Sequence, residues 1–165
     1  MAWSKKIVGS LIFNQNDGII QHKRTAENLA KYIVKIAIPI HLLAKSTTVA
    51  IDSTGVKEEC GHFTLPAELL KHITEAYLEA YADDPTATDA EVKVELVDVA
   101  TATAIASVTF AGEGGDKKTS NIASTLADYS EKIIAGSINV TTASATSGAT
   151  QTFRSIVLVL EIDLT

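Results

Sequence analysis

The chain has 165 residues, of which 46% are apolar and 21% charged, with a formal net charge of −6 and one cysteine. That length suits a single domain with a sizeable core. A lone cysteine excludes an intrachain disulfide, and the acidic balance weighs against nucleic acid, where Lys and Arg neutralising phosphates supply most of the affinity.

Residues 5–13, KKIVGSLIF, read as an apolar strand weakened by Gly9 and Ser10, and the NQNDG that follows is a strong turn signal. Residues 1–20 are therefore expected to form an N-terminal strand or arm with its linker, and residues 21–165 one β-sandwich domain. Residues 21–31, QHKRTAENLAK, suit a short helix with Thr25 as its cap. In residues 31–43 the apolar side chains Tyr32, Val34, Ile36, Ile38, Ile40 and Leu42 alternate with Lys31, Lys35 and His41, the period of a half-buried strand. Pro39 lacks a backbone donor and places that strand at a sheet edge or ends it. STTVAID (46–52) is a second short strand, and residues 53–62 read as a polar turn.

Residues 62–85 carry two patterns. As a helix, Thr64 caps, Pro66 opens the first turn, and Leu69, Leu70, Ile73, Ala76, Tyr77 and Ala80 form a stripe. As a strand, Ile73, Glu75, Tyr77, Glu79 and Tyr81 share one face and Ala76, Leu78 and Ala80 the other. Propensity favours the helix.

From residue 90 the alternation is plain. Val92, Val94 and Leu96 interleave with Glu91, Lys93 and Glu95 and slip near Val97-Asp98-Val99, a bulge or strand end. Residues 104–110 alternate again, which gives an antiparallel hairpin. GEGGDKKTS (112–120) reads as a loop, and residues 119–133 hold a helical turn or two capped by Ser120. IIAGSINVTTA is a strand. Residues 151–164 form the last one, with Ile156, Leu158, Leu160, Ile162 and Leu164 on one face and Val157 and Val159 on the other. Six to eight short strands with turn-rich connections and one or two helical insertions define an all-β sandwich, with the jelly roll as a candidate topology.

Chemistry is sparse. Asp83, Asp84 and Asp89 surround a turn, with Glu91 following, and are the candidate ligands for calcium, a cation that takes six to eight oxygens; the spacing is not that of an EF-hand. Cys60 and His62 with His72 fall short of the paired spacings of a zinc site. No G-x-S-x-G elbow is present, and GEGGDKKTS lacks the P-loop spacing. The triplet at Asn139, NVT, is a glycosylation sequon that matters only on export. No enzyme activity and no cofactor are expected. A sugar-binding sandwich needs aromatic platforms, and the candidates are Trp3, Tyr32, Tyr77, Tyr81 and Tyr129.

Mean hydropathy is +0.18 and aromatics are 5% of the chain. A chain of this kind has a large core or covers extra surface in an assembly. No apolar run reaches the about 18 residues of a membrane span, and the start shows no conventional signal peptide. The expectation is a self-assembling structural protein, extracellular or virion-associated, whose partners are copies of itself, with Ile7, Val8, Leu11, Ile12 and Phe13 as the assembly residues of an N-terminal strand. A carbohydrate- or ligand-binding module is the alternative.

Overall fold

A computed structural model describes residues 6–8, 11–14, 19–25, 28–29, 33–40 and 46–163. The expectations for Trp3, Tyr32, His41, Leu42 and Leu164 lie outside the described residues.

Four short strands, β1 (Lys6–Val8), β2 (Leu11–Asn14), β3 (Ile19–Thr25) and β4 (Asn28–Leu29), pair in that order as one antiparallel sheet. The segment read as one strand is thus a hairpin, with Ile7 opposite Ile12 and Val8 opposite Leu11. The helix expected over 21–31 is not formed. Ile19–Thr25 pairs with β2, and Thr25 pairs with Asn28 of β4 instead of capping a helix. Ladder pairing with β2 on one side and β4 on the other satisfies the backbone that a short, weakly nucleated helix would have had to satisfy alone. This sheet continues past residue 20, to Leu29.

The remaining strands are β5 (Ile33–Pro39), β6 (Thr47–Ala50), β7 (Gly55–Thr64), β8 (Ile73–Ala82), β9 (Glu91–Asp98), β10 (Thr103–Ala111), β11 (Gly115–Lys118), β12 (Ile133–Thr142) and β13 (Thr150–Asp163). They form a four-stranded sheet in the order β10-β9-β12-β7 and a five-stranded sheet in the order β11-β8-β13-β5, with β6 also on β13. β13 is 14 residues long. Its first part pairs with β6 and its second with β5, so those two act as one interrupted outer strand. From β6 onward the chain crosses between sheets at nearly every connection; the β9–β10 hairpin alone stays within one. All pairings are antiparallel. That strand order is a jelly roll, the sandwich of two interlocked Greek keys.

The core lies between the sheets. Leu78, Leu158 and Leu160 from one and Val94, Leu96 and Ile138 from the other are fully covered and belong to one cluster. Phe110 of β10 meets Phe153 of β13 edge to face, centroids 5.4 Å apart at 88°. β12 is buried on both sides at its centre, from Ile134 to Ile138. Gly136 is required there, because a Cβ would stand 2.1 Å from Ile40 Cγ2.

Three segments depart from their sequence reading. Residues 62–85 hold only one helical turn, α1 (Ala67–Leu70), whose first N–H is bonded by Glu131 Oε1 at 2.8 Å rather than by Thr64. The rest is β8, with Ala76, Leu78, Ala80 and Ala82 inward and Glu75, Tyr77 and Glu79 outward. The small alanines are helix formers by propensity, but burial against the opposite sheet decides the outcome. Residues 53–62 are most of β7. Its register with β12 slips twice, between Ala135 and Ser137 and between Ile138 and Asn139, and these bulges erase the period-two signal. GEGGDKKTS contains β11, paired with Glu79–Ala82 of β8.

The bulge in the β9–β10 hairpin lies at Ile105, one strand later than the sequence slip, and turns that side chain inward. A second helical turn, α2 (Ala123–Ala127), has no side-chain cap from Ser120. Asn121 Oδ1 instead accepts from Ala123 N–H and from Ala76 N–H, both at 3.0 Å. Pro39 ends β5 at the sheet edge, and Val157 and Val159 on the outer face of β13 are half-buried.

Candidate functional site

The acidic turn of residues 83–89 is built into one end of the sandwich. Asp83 Oδ2 accepts from Arg154 Nε at 2.9 Å and Nη2 at 2.5 Å. Asp84 Oδ1 accepts the Gly114 N–H at 2.9 Å. Asp89 takes the Ser144 hydroxyl at 2.6 Å and the Ala145 N–H at 2.8 Å. The three carboxylates expected as calcium ligands are thus engaged separately, Asp83 with strand β13, Asp84 with the 112–114 loop and Asp89 with the loop after β12. Among the described residues, no group of three or more His, Cys, Asp or Glu is placed to hold a metal ion.

The hydrogen bonds hold both carboxyls below the usual range. For Asp83 the Arg154 side-chain bond is the main cause, and for Asp89 it is the Ser144 hydroxyl followed by the Ala145 amide. Buried Gln151 completes the arrangement, donating through Nε2 to the carbonyls of Asp83 and Glu113 at 3.2 and 3.0 Å. Asp52 Oδ2 fastens the Gly148 N–H at 2.8 Å. Gly112, at φ +70°, turns where a Cβ would collide with the Thr88 carbonyl. Sequence reasoning found Asp83, Asp84 and Asp89 but not Asp52 or Gln151, because a lone aspartate or glutamine at a strand end carries no signal of its own.

The outer face of the five-stranded sheet carries the aromatic groups. Tyr77 and Tyr81 lie four residues apart on β8, both outward. The Tyr77 hydroxyl donates to Glu75 Oε2, and the Lys118 ammonium sits over its ring at 3.6 Å from the centroid and 3.4 Å from Glu79 Oε1. The bond to Glu75 and then desolvation push the Tyr77 hydroxyl up to about 12. Lys35 reaches Glu161 at 2.6 Å on the same face. Tyr81 is 38% exposed. Tyr129 lies beside α2, half-buried against the core, with Lys132 over its ring at 4.6 Å.

The outer face of the four-stranded sheet is polar. Asn139 Nδ2 donates to Glu95 Oε2 at 3.2 Å, so the sequon amide is engaged within the sheet. Ser137 stands in a cross-strand row with Glu59 and Glu95. It is 3% exposed, and among the described residues its hydroxyl has no hydrogen-bond partner. Cys60 is buried in β7 while His62 and His72 are exposed, so the CxH pair points two ways. Burial, with Glu58 nearby, pushes the thiol up to about 11. Ile7, Val8, Leu11, Ile12 and Phe13, the residues expected to mediate assembly, all fall within β1 and β2 of the N-terminal sheet.

The topology defines this chain as a β-sandwich of jelly-roll type. No family model and no curated protein matches it. Among solved structures it is similar to a chain in one described as "Structure of infectious bursal disease virus Gx strain", at 11% identity and a TM-score of 0.37. That match covers 98% of this chain and 37% of the other, so this chain spans about a third of the length of that one. No helix among the described residues is long and apolar enough to cross a membrane.

Proposed function

We propose that the chain is a non-enzymatic structural subunit that assembles with copies of itself, in a virion or an extracellular filament, tube or sheath. The observation that carries this reading is the division of its strands. Nine strands close on each other as a sandwich, while β1–β4 pair as a sheet of their own. That extra sheet has strands of three, four, seven and two residues. A sheet so small needs an apolar face packed on something to be stable, and its sequence supplies Ile7, Val8, Leu11, Ile12, Phe13, Ile19 and Ile20. A neighbouring copy provides such a surface. The polar residues at the loop end support the same reading, since they hold the chain's own loops together.

Removal of residues 1–13 tests it. The truncated protein is expected to keep its sandwich and its cooperative melt but to form no large particles. Unfolding on truncation, or particles of unchanged size, contradicts the proposal.

The outward Tyr77 and Tyr81 on β8 favour a second reading, a glycan-binding face. It requires Tyr81→Ala to abolish a glycan-induced rise in melting temperature of a monomer.

A further inference from the structure

We infer that β10 is the edge at which a second copy of this chain adds on, its own β10 running antiparallel to the first across a twofold axis. This rests on the assembly reading above and says which part of the sandwich the copies share. The four-stranded sheet ends in β10 and β7, and the five-stranded sheet in β11 and the β5/β6 pair. Exposed strand edges invite pairing, and proteins blunt them with charges, proline, bulges or short length.

All these edges but β10 are blunted. β7 carries Lys57, Glu58 and Glu59, has two register slips, and already bonds Ile40 O through Gly61 N–H at 3.0 Å. β11 is the four-residue GDKK, β6 is four residues long, and β5 bears Lys35 and ends on Pro39.

β10 is different. Its sequence TAIASVTFA is nine residues with no charge and no proline. Its one bulge lies near its start, and from Ala106 to Ala111 the register with β9 is unbroken. Among the described residues, β10 makes no backbone hydrogen bond outside its sheet. Val108 and Phe110 are already buried beneath it, while Ser107 and Ala111 are exposed on the outer side.

The charge pattern lets a second copy add at β10 but not at β7. Two chains of net charge −6 repel, and like charges placed opposite across a strand pair are destabilising. Self-pairing of β7 would bring its charged residues against their equivalents. Self-pairing of β10 opposes no charge at all, and an isologous contact needs one self-complementary strand. Main-chain hydrogen bonds then join two four-stranded sheets into one of eight strands.

The test uses the full chain with Ser107→Lys, and Ala111→Lys alongside so that a folding defect in one leaves the other. Light scattering over a concentration series gives mass, and hydrogen exchange gives protection by segment. In the wild type, protection of 106–111 is expected to rise with concentration. Each folded variant is expected to raise the concentration needed for association by about two- to fivefold, because a lysine on this uncharged edge sets like charges across the twofold strand pair.

Association unchanged in both variants, or concentration-dependent protection confined to β7 or to residues 6–13, overturns the β10 contact while leaving self-assembly standing. A wild type that stays at 17.5 kDa at every concentration overturns both.

Discussion

At the scale of single residues, the account turns on groups whose surroundings fix their behaviour. Gly136 is hemmed in by Ile40, with Cys60 Cβ 3.1 Å from the position its own Cβ would take. Gly136→Ala overpacks the doubly covered centre of β12. A cost of about 1–3 kcal/mol is expected, at about 2–4 °C of melting temperature per kcal/mol for a chain of this length. An unchanged melt contradicts the packing described.

The raised pKa and burial of Cys60 make its thiol inert. Labelling by a disulfide reagent at pH 8 is expected only after denaturation, and fast native labelling would show the site open. Asp89 sets a pH dependence. Its folded pKa lies below its ordinary value of 3.8, so its contribution is complete above that value and is lost as pH falls through the folded pKa. Asp89→Asn is expected to flatten the acid limb of a melting-temperature profile and to leave the pH 6–8 region parallel to wild type. Profiles that stay parallel down to pH 2 contradict the assignment.

At the scale of elements, Phe110 and Phe153 tie the two sheets together. Phe110→Ala is expected to destabilise by about 3–5 kcal/mol, measured by denaturant unfolding. A loss below about 1 kcal/mol means that the edge-to-face pair is not the clasp described.

The same scale shows what was readable in the sequence. β5, β9, β10 and β13 were legible because each alternates against a core face, and Val92-Lys93-Val94-Glu95-Leu96 needs no tertiary information; β12, covered on both sides, was legible as a short apolar run between turns. β8 was legible only as the second of two patterns. Ala76, Ala80 and Tyr77 satisfy both a helical stripe and a strand face, and the opposing sheet that chooses between them is distant in the chain. β7 was hidden because its two bulges break the period, and β11 because a charged four-residue edge strand looks like a loop.

The candidate site was legible as residue types and not as partners. Asp83, Asp84 and Asp89 were found, but Arg154, Gly114 and Ser144, which hold them, are 30 or more positions away.

At the scale of the whole molecule, a jelly roll closes its own core and leaves a limited set of edges and faces for function. The carboxylates at the loop end fasten loops to one another, so assembly is expected to be indifferent to a calcium chelator. Dissolution of particles by chelator would make that turn a metal site after all. The mean hydropathy of +0.18 is consistent with apolar residues shared between the sandwich core and the N-terminal strands.

The measurement that tests self-assembly most directly is light scattering after size exclusion of the wild-type chain, with negative-stain microscopy of the same fractions over a range of loading concentrations. The account predicts mass that rises with concentration and regular particles in the heavy fractions. A single 17.5 kDa species at every concentration, with empty fields, would contradict it and leave the outward tyrosines of β8 as the surface to pursue.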